Sequence, residues 1–540
     1  MKQILILTFV LLAACNSRKE TVTDTVFCTH NVVLDEEEKL LPWFTPRDMA
    51  YDNFLHLRWD FIKNSVPNSP GPDPRSRYPQ YYFYCAFKVR NDSILPDTWM
   101  NDIGEKIPNW FENARLYYAY TGDEGVMKIV KDFVDYTMEH GTSSEEFAWP
   151  GFPYTTTNAG DTLFRGFSSA GRMVLHEIQV DHAGEMGLTY FRMYLFTGDE
   201  KYLREALNVA DVLASKVRDG NMDESVWPYR VVMDDGRITA PYGANWTGCY
   251  MLFENLIRSG LGNVKDYELA RDKARDFLVN FPMKTGYWTD GHSDTDVKSN
   301  TYKSNLSASN MTLCLFDYPE LDPDWKSDIP KLIKWTEDYF VFRTSPGEPS
   351  AMWGANLVGE QDDFNFKMDY QTARYAAACA RWYAVSGDES YKEKAYRSLN
   401  WVTYCNDSLG MAFESPVSKG ILSWWSDCYG ECPRMFYHAF AAIPEWAPPR
   451  EDHILYSEGI LKDVMYADKI VNYTATSGNG TEYLRLSFKP STVIIDGVKI
   501  SDVNDAGKDH FIIRKLGKGD YALTVMHSKS CKVEIRGRIS

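Results

Sequence analysis

Three stretches of the chain repeat one pattern: an apolar run, a Gly-Asp-Glu turn, then apolar residues recurring at helical spacing. Ala119-Tyr120-Thr121-Gly122-Asp123-Glu124 returns as Leu195-Phe196-Thr197-Gly198-Asp199-Glu200 and as Ala384-Val385-Ser386-Gly387-Asp388-Glu389. The pattern predicts a helix stopped at glycine, which tolerates the left-handed conformation of a helix end. A second helix follows, capped by aspartate and favoured by glutamate in its first turn. In the second copy Tyr202, Leu203, Ala206, Leu207, Ala210, Leu213, Ala214 and Val217 fall on one face, so this helix is amphipathic. The runs before the glycines have no polar face, as in 183–196, 245–258 and 369–385, and a helix of that kind belongs in the interior.

Counting on this basis places inner helices near 109–120, 183–196, 245–258, 305–316, 369–385 and 431–442. Outer helices fall near 123–139, 200–217, 264–280, 327–341 and 390–404, with 46–65 closing the ring. Six inner and six outer helices at a repeat of about 60 residues make an (α/α)6 toroid, a six-hairpin barrel, over residues 41–450. After Pro448-Pro449 the pattern changes to short alternating runs of β-formers, with a hairpin signal at Asp496-Gly497. Residues 451–540 therefore read as a small antiparallel, β-sandwich-like domain, a buttress whose sequence suggests no site.

The N-terminus reads as an export signal. Lys2, the apolar run Ile4 to Leu12, and Leu12-Ala13-Ala14-Cys15 have the order of a secretory signal. Its end resembles the lipobox of bacterial lipoproteins, which implies lipidation of Cys15 after removal of the leader, with residues 16–40 as a polar tether. Asn16 after the cysteine favours an outer-membrane anchor, and the absence of an acidic run behind it favours the periplasmic face.

Composition narrows the partners. A net charge of −17 argues against nucleic acid, and 44% apolar residues supports a large core. Besides Cys15 there are nine scattered cysteines. Cys249, Cys314 and Cys379 fall in inner-helix runs as buried thiols, and the Cys428/Cys432 pair leaves a bridge or a soft-metal site open. No Cys or His pairs have zinc-site spacing, and no metal or cofactor is expected.

The connections 140–182, 218–244, 281–304 and 342–368 are long for a compact domain and converge on one rim, where a cleft is expected. They and the last inner helix bring Trp227, Trp246, Trp288, Trp353 and Trp425, with Tyr242 and Tyr370. Such rings offer flat faces for stacking on pyranoses. Asp181, His182 and Glu185 open the second inner helix, with Asp181 and Glu185 on one face. Asp362, Asp363 and Asp369 precede or open the fifth, and Asp290 and His292 lie before the fourth. Paired carboxyls, one protonated and one ionised, are what glycoside hydrolysis requires, about 5–5.5 Å apart for retention or about 6.5–9.5 Å for inversion. Asp181, His182, Glu185, Asp362, Asp363 and Asp369 are the candidate catalytic residues. Each aspartate also has a plainer use as a helix cap or a solvated loop charge. Arg230, Arg434 and Asn245 stand near loop-to-helix junctions, where an arginine can hold a sugar carboxylate with two hydrogen bonds.

With lipobox, repeated turns, aromatic loops and terminal β domain together, the chain resembles carbohydrate-active (α/α)6-toroid lipoproteins of Bacteroidetes. Among these it is most similar to β-glucuronidase-type and unsaturated-glucuronyl-type hydrolases. The resemblance implies an oligosaccharide substrate containing a uronate and a catalytic acid before an inner helix, where Asp181 matches in position. A polysaccharide lyase would use Tyr242 or His182 as base, with Asn245 and Arg230 at the carboxylate. A uronyl epimerase would need a similar pair of proton carriers, and a non-catalytic glycan binder could keep the tryptophans and spare the carboxylates.

Overall fold

The computed structural model describes residues 20–538 apart from 91–92, 168–172, 290–301, 343–352, 363–365, 415–422 and 502–508. The leader and Cys15 lie outside these residues. No helix among the described residues is long and apolar enough to cross a membrane.

Twelve helices form the toroid. The outer ones are α1 (Ala50–Asn64), α3 (Glu124–His140), α5 (Glu200–Lys216), α7 (Val264–Asn280), α9 (Trp325–Tyr339) and α11 (Glu389–Val402). The inner ones are α2 (Ile103–Thr121), α4 (Val180–Thr197), α6 (Thr247–Ser259), α8 (Asn305–Asp317), α10 (Asp369–Ser386) and α12 (Cys432–Ala442). Each inner helix packs on the next, α12 returns to α2, and α1 docks beside α12, so the ring closes as the repeat predicts. The three Gly-Asp turns work as read. Gly122, Gly198 and Gly387 take φ of 77°, 76° and 72°, and Asp123, Asp199 and Asp388 accept from the backbone N–H two residues on.

Two inner helices begin differently from the sequence expectation. The first starts at Ile103, six residues before 109, with Pro108 inside it. The last is preceded by a π-helical turn, Trp425–Glu431, which carries Asp427 and Glu431 into the ring. π-turns of this kind occur mostly at functional sites.

The segment expected as a tether is ordered from Thr21. Thr21–Phe27 and His30–Leu34 pair as an antiparallel hairpin, buried through Val32, Val33 and Leu34 of the second strand. Phe27 packs on Trp353, Trp401 and Tyr404, and Val32 and Leu40 are fully buried.

The C-terminal domain is a sandwich of two antiparallel sheets. One is ordered 453–457, 480–486, 521–527, 510–515, and the other 461–467, 470–475, 531–537, 490–495, 498–499. Its core is Val471, Leu484, Val493, Val525 and Ile535 with their neighbours. The sandwich sits on the turn-side rim, against the C-terminal end of α2. There Tyr118 Oη accepts from Val464 N (3.0 Å), and Arg115 donates to the carbonyl of Ser457 (2.9 Å).

Candidate active site

Six inner helices all point their N-termini at the rim of long connections. Their first turns therefore lie at one level around the axis, and polar side chains there meet their neighbours. Asn245, just before α6, donates to Asp181 Oδ2 (3.1 Å) and Glu185 Oε1 (3.4 Å) of α4. Asn310 of α8 donates to Asn245 Oδ1 (3.0 Å) and accepts from Arg374 of α10, which pairs with Glu431. Asn109 of α2 donates to Glu431 Oε2 (3.4 Å). On the other side of α2, Asp102 Oδ1 lies 3.7 Å from His182 Nδ1, and His182 Nε2 lies 4.0 Å from Asp181 Oδ2. The result is a continuous polar belt with a contribution from every inner-helix position of the ring.

Two glycines let the belt close. A Cβ on Gly104 would stand 2.7 Å from the Cβ of His182, and one on Gly248 would collide with Cγ of Glu185. Small residues at these first turns bring α2 and α6 against α4 and seat the two side chains.

The belt surrounds the upper end of an axial cavity of about 670 Å³ whose wall includes Glu105, His182, Glu185, Arg374 and Arg434. Its electrostatics are uneven. Glu105 is pushed well above the ordinary carboxyl range by burial, and by Asp427, Asp102, Glu360 and Glu185 around it. One of its oxygens, Oε1, has no hydrogen-bond partner. Glu185 is raised by burial but pulled back by His182, Arg434 and Arg374. Burial works against a charge on His182, yet Asp181 and Asp102 overcome it and push the imidazole up to about 10. Burial and the neighbouring Arg434 bring Arg374 down to about 9. The Arg434 guanidinium has an Nε without a hydrogen-bond partner, and it stands 3.8 Å from Glu431.

Of the residues expected from the sequence, His182, Glu185 and Arg434 line this cavity, and Asp181 and Asn245 stand directly behind it in the belt. Asp369 is displaced from the site. It is fully buried against Arg58 of α1 (3.3 Å), and burial raises it to about 6 while Arg58 opposes the rise. It ties α1 to the ring. Asp362 is exposed and accepts from Lys303 N (2.9 Å), bridging two connections away from the cavity. Asp363, Asp290 and His292 lie outside the described residues.

The aromatic expectation is corrected. Trp227, Trp246, Trp288 and Trp425 are buried to within 1%. Trp227 Nε1 donates to the Leu213 carbonyl and Trp246 Nε1 to that of Gly243, while Trp425 stacks on Phe87 at 4.3 Å. Trp353 covers the N-terminal hairpin. Tyr242 donates to the Tyr287 carbonyl (3.3 Å), Tyr370 is buried, and Arg230 lies in a strand against Gln179. None of these eight lines the cavity. Connections this long must bury something to be ordered, and their tryptophans supply it.

Sequence reasoning missed Glu105, Asp102, Asn310 and Arg374. For Glu105 and Asp102 a signal existed. Ile103, Ile107 and Phe111 recur at i, i+4, i+8 and extend the first inner helix back across Pro108.

The described cysteines are all free, and Cys428 and Cys432 are buried beside Asp369 without a bridge. One trio among the described residues, Asp52, Glu451 and His453, has the spacing to meet a cation. It sits at the junction with the sandwich and does not line the cavity. Asp52 already accepts from Tyr120 (2.7 Å), and His453 Nδ1 bonds the Tyr120 carbonyl (2.8 Å).

No family model and no curated protein matches the chain. Solved structures do. A cellobiose 2-epimerase from Spirochaeta thermophila aligns with a TM-score of 0.51 at 9% identity, covering 74% of this chain and 99% of that one. A D-mannose isomerase aligns at 0.50 and 11%, covering 73% and 96%, and an unsaturated glucuronyl hydrolase specific for heparin at 0.43 and 12%, covering 73% and 96%. At these identities the likeness is one of fold: the chain is built as an (α/α)6 toroid, an architecture that it shares with carbohydrate-active enzymes.

Proposed function

We propose that the protein is a glycoside hydrolase acting on an oligosaccharide that contains an acidic sugar. The observation that carries this reading is a pair of carboxyls in one cavity, both raised by burial, one among other acids and one facing cations. Glu105 sits among other acids and is held protonated, while Glu185 faces His182, Arg374 and Arg434, which favour its charge. Such a split assigns roles. Glu105 gives its proton to the glycosidic oxygen as the bond to the anomeric carbon breaks. Glu185 stabilises the positive charge that develops or takes a proton from the incoming water. Asp181 and Asp102 are positioning residues that keep His182 charged and turned towards the ring. Arg434, whose Nε has no hydrogen-bond partner, is the natural partner of a sugar carboxylate.

The lyase reading loses Tyr242 and Arg230, which do not line the cavity, and keeps His182 as its base with Asn245 behind it. An epimerase reading is favoured by one observation. The cavity holds two histidines in opposite states, His182 pushed up to about 10 and His438 brought down to about 3 by burial and Arg381.

The test is incubation of the mature protein with uronate-containing oligosaccharides followed by mass spectrometry. Products whose summed mass exceeds the substrate by one water support the hydrolase. Cleavage without water gain, giving an unsaturated uronate, replaces it with a lyase, and an isomer of unchanged mass replaces it with an epimerase. Anchoring through Cys15 at the outer membrane belongs to the same proposal, and incorporation of labelled palmitate, abolished in Cys15→Ala, tests it.

A further inference from the structure

The axial cavity has a second end. Below the belt it runs on between the C-terminal halves of the inner helices to the turn-side rim, where the β sandwich sits. The loop residues in its wall come from that rim. They include Glu320 after α8, and Glu458, Gly478 and Ser530 of the sandwich, whereas none of the described residues of the long connections lines it. Glu320, Gly478 and Ser530 are exposed, so this end meets solvent. The sandwich, whose sequence shows no site, frames an opening.

We infer that this lower chamber is a passage for a monosaccharide-sized polyhydroxylated ligand, with its own mouth between toroid and sandwich, leading to the belt. It rests on the hydrolase reading only for what the ligand is, a released sugar. Its wall suits such a molecule. Arg115 and Arg192 both clasp Glu112, Asp317 is held by Arg381 and Tyr456, and Asn255 is bonded to Tyr318. Groups fixed in this way present hydrogen-bonding edges without demanding a counter-charge, which favours hydroxyls over apolar surface. The volume of about 670 Å³ falls within the range of small-ligand pockets, about 300–1,000 Å³. A sugar freed at Glu105 and Glu185 thus has a polar path out that does not retrace the entry of the longer substrate.

A native thiol reports on the passage without any need for catalysis. Cys314 is the one cysteine among the described residues that lines the chamber, while Cys249 is fully buried on a neighbouring inner helix and does not. Both thiols are pushed up by burial, so differences in their alkylation read access. Iodoacetamide labelling of the folded protein, read by peptide mass spectrometry, is expected to modify Cys314 several-fold faster than Cys249. Gly478→Trp, at an exposed mouth position where an added Cβ meets no atom within 4 Å, should slow Cys314 several-fold and leave Cys249 unchanged. Glucose or glucuronate at high millimolar concentration should protect Cys314. Equal labelling of the two thiols, or no effect of Gly478→Trp, overturns the passage. Protection by neither sugar overturns its ligand. Failure of the hydrolase reading leaves these labelling results standing, so the two ideas fail separately.

Discussion

The two ends of the axial cavity are built from the same residue types and handle them in opposite ways. At the turn-side end the buried carboxylates Glu112 and Asp317 each have cationic partners. Glu112 is clasped by Arg115 at 2.6 Å and Arg192 at 2.5 Å, and Asp317 by Arg381 at 2.8 Å. At the belt end Glu105 keeps a buried oxygen without a hydrogen bond, with four acids around it, and Arg434 Nε is likewise without a partner. Burying an unpaired group costs stability, whereas a paired one roughly breaks even. A fold that clasps Glu112 and Asp317 at one end and leaves Glu105 Oε1 without a hydrogen bond at the other keeps that carboxyl for something that binds there.

The largest expected effect comes from the unmatched end. Glu105→Gln removes the proposed acid while keeping its shape, and turnover should fall by about 10²–10⁴-fold, the usual worth of a positioned proton donor. Stability should move the other way. A carboxyl raised in the folded state weakens folding as pH climbs from its unfolded value through its folded one. The wild type should therefore lose stability relative to Glu105→Gln on going from pH 4 to pH 8. The alkaline limb of the wild-type pH–rate profile should follow the same folded-state ionisation. Turnover assays and urea titrations at the two pH values check both, and a variant that is slow only because it is unstable would contradict the assignment.

At the matched end the prediction is a loss of stability. Glu112→Gln leaves Arg115 and Arg192 facing each other and Arg434 across a buried space, and breaking a buried pair in this way costs about 3–5 kcal/mol. Those two arginines hold Glu112 down at about 2 against the pull of burial, so its contribution is present above the unfolded carboxyl pKa. It fades as pH falls through about 2. The difference between wild type and Glu112→Gln in urea should be full at pH 7 and shrink towards pH 2.

The architecture was legible because it is periodic. Gly122, Gly198 and Gly387 each end an inner helix, the following aspartates each cap an outer one, and the apolar spacing between them carries the ring. The site was legible only where it adjoins that periodicity, as at Asp181, His182 and Glu185 on the first turn of α4. Asn310 and Arg374 belong to the belt but sit one turn deeper, in runs whose neighbours are small and apolar. Single polar residues there look like tolerated exceptions until the ring brings α8 and α10 together. Asp369 shows the opposite failure. Its place at a helix start matched that of Asp181, but its partner Arg58 is 311 residues away on α1, and only the closed ring shows that it serves packing. The tryptophans misled for a similar reason. Composition says that a loop is rich in rings but not which way they turn, and here they turn inward.

Within the belt a smaller effect is expected from Asn310→Ala. It removes the link between Asn245 and Arg374, leaving each short of a partner at about 1–3 kcal/mol per buried group. Because Asn245 bonds Glu185 and Arg374 favours its charge, part of the loss should appear in kcat, with KM moving less. A drop in stability with unchanged kinetics would reduce the belt to a structural device and blur the contrast between the two ends.

The smallest effect belongs to a carboxylate outside both ends. Asp362 accepts from the Lys303 backbone at 2.9 Å and is exposed, so water replaces it readily. Asp362→Ala should cost no more than about 1 kcal/mol in urea unfolding and leave kcat within a factor of about two, the range of an exposed hydrogen bond. This substitution sharpens the comparison by asking whether charge on the long connections matters as much as charge on the axis. A rate loss approaching that of Glu105→Gln would move the chemistry out to the connections and return Asp362 to the catalytic set. A near-silent variant leaves the chemistry where unpaired groups are buried, at the first turns of the inner helices.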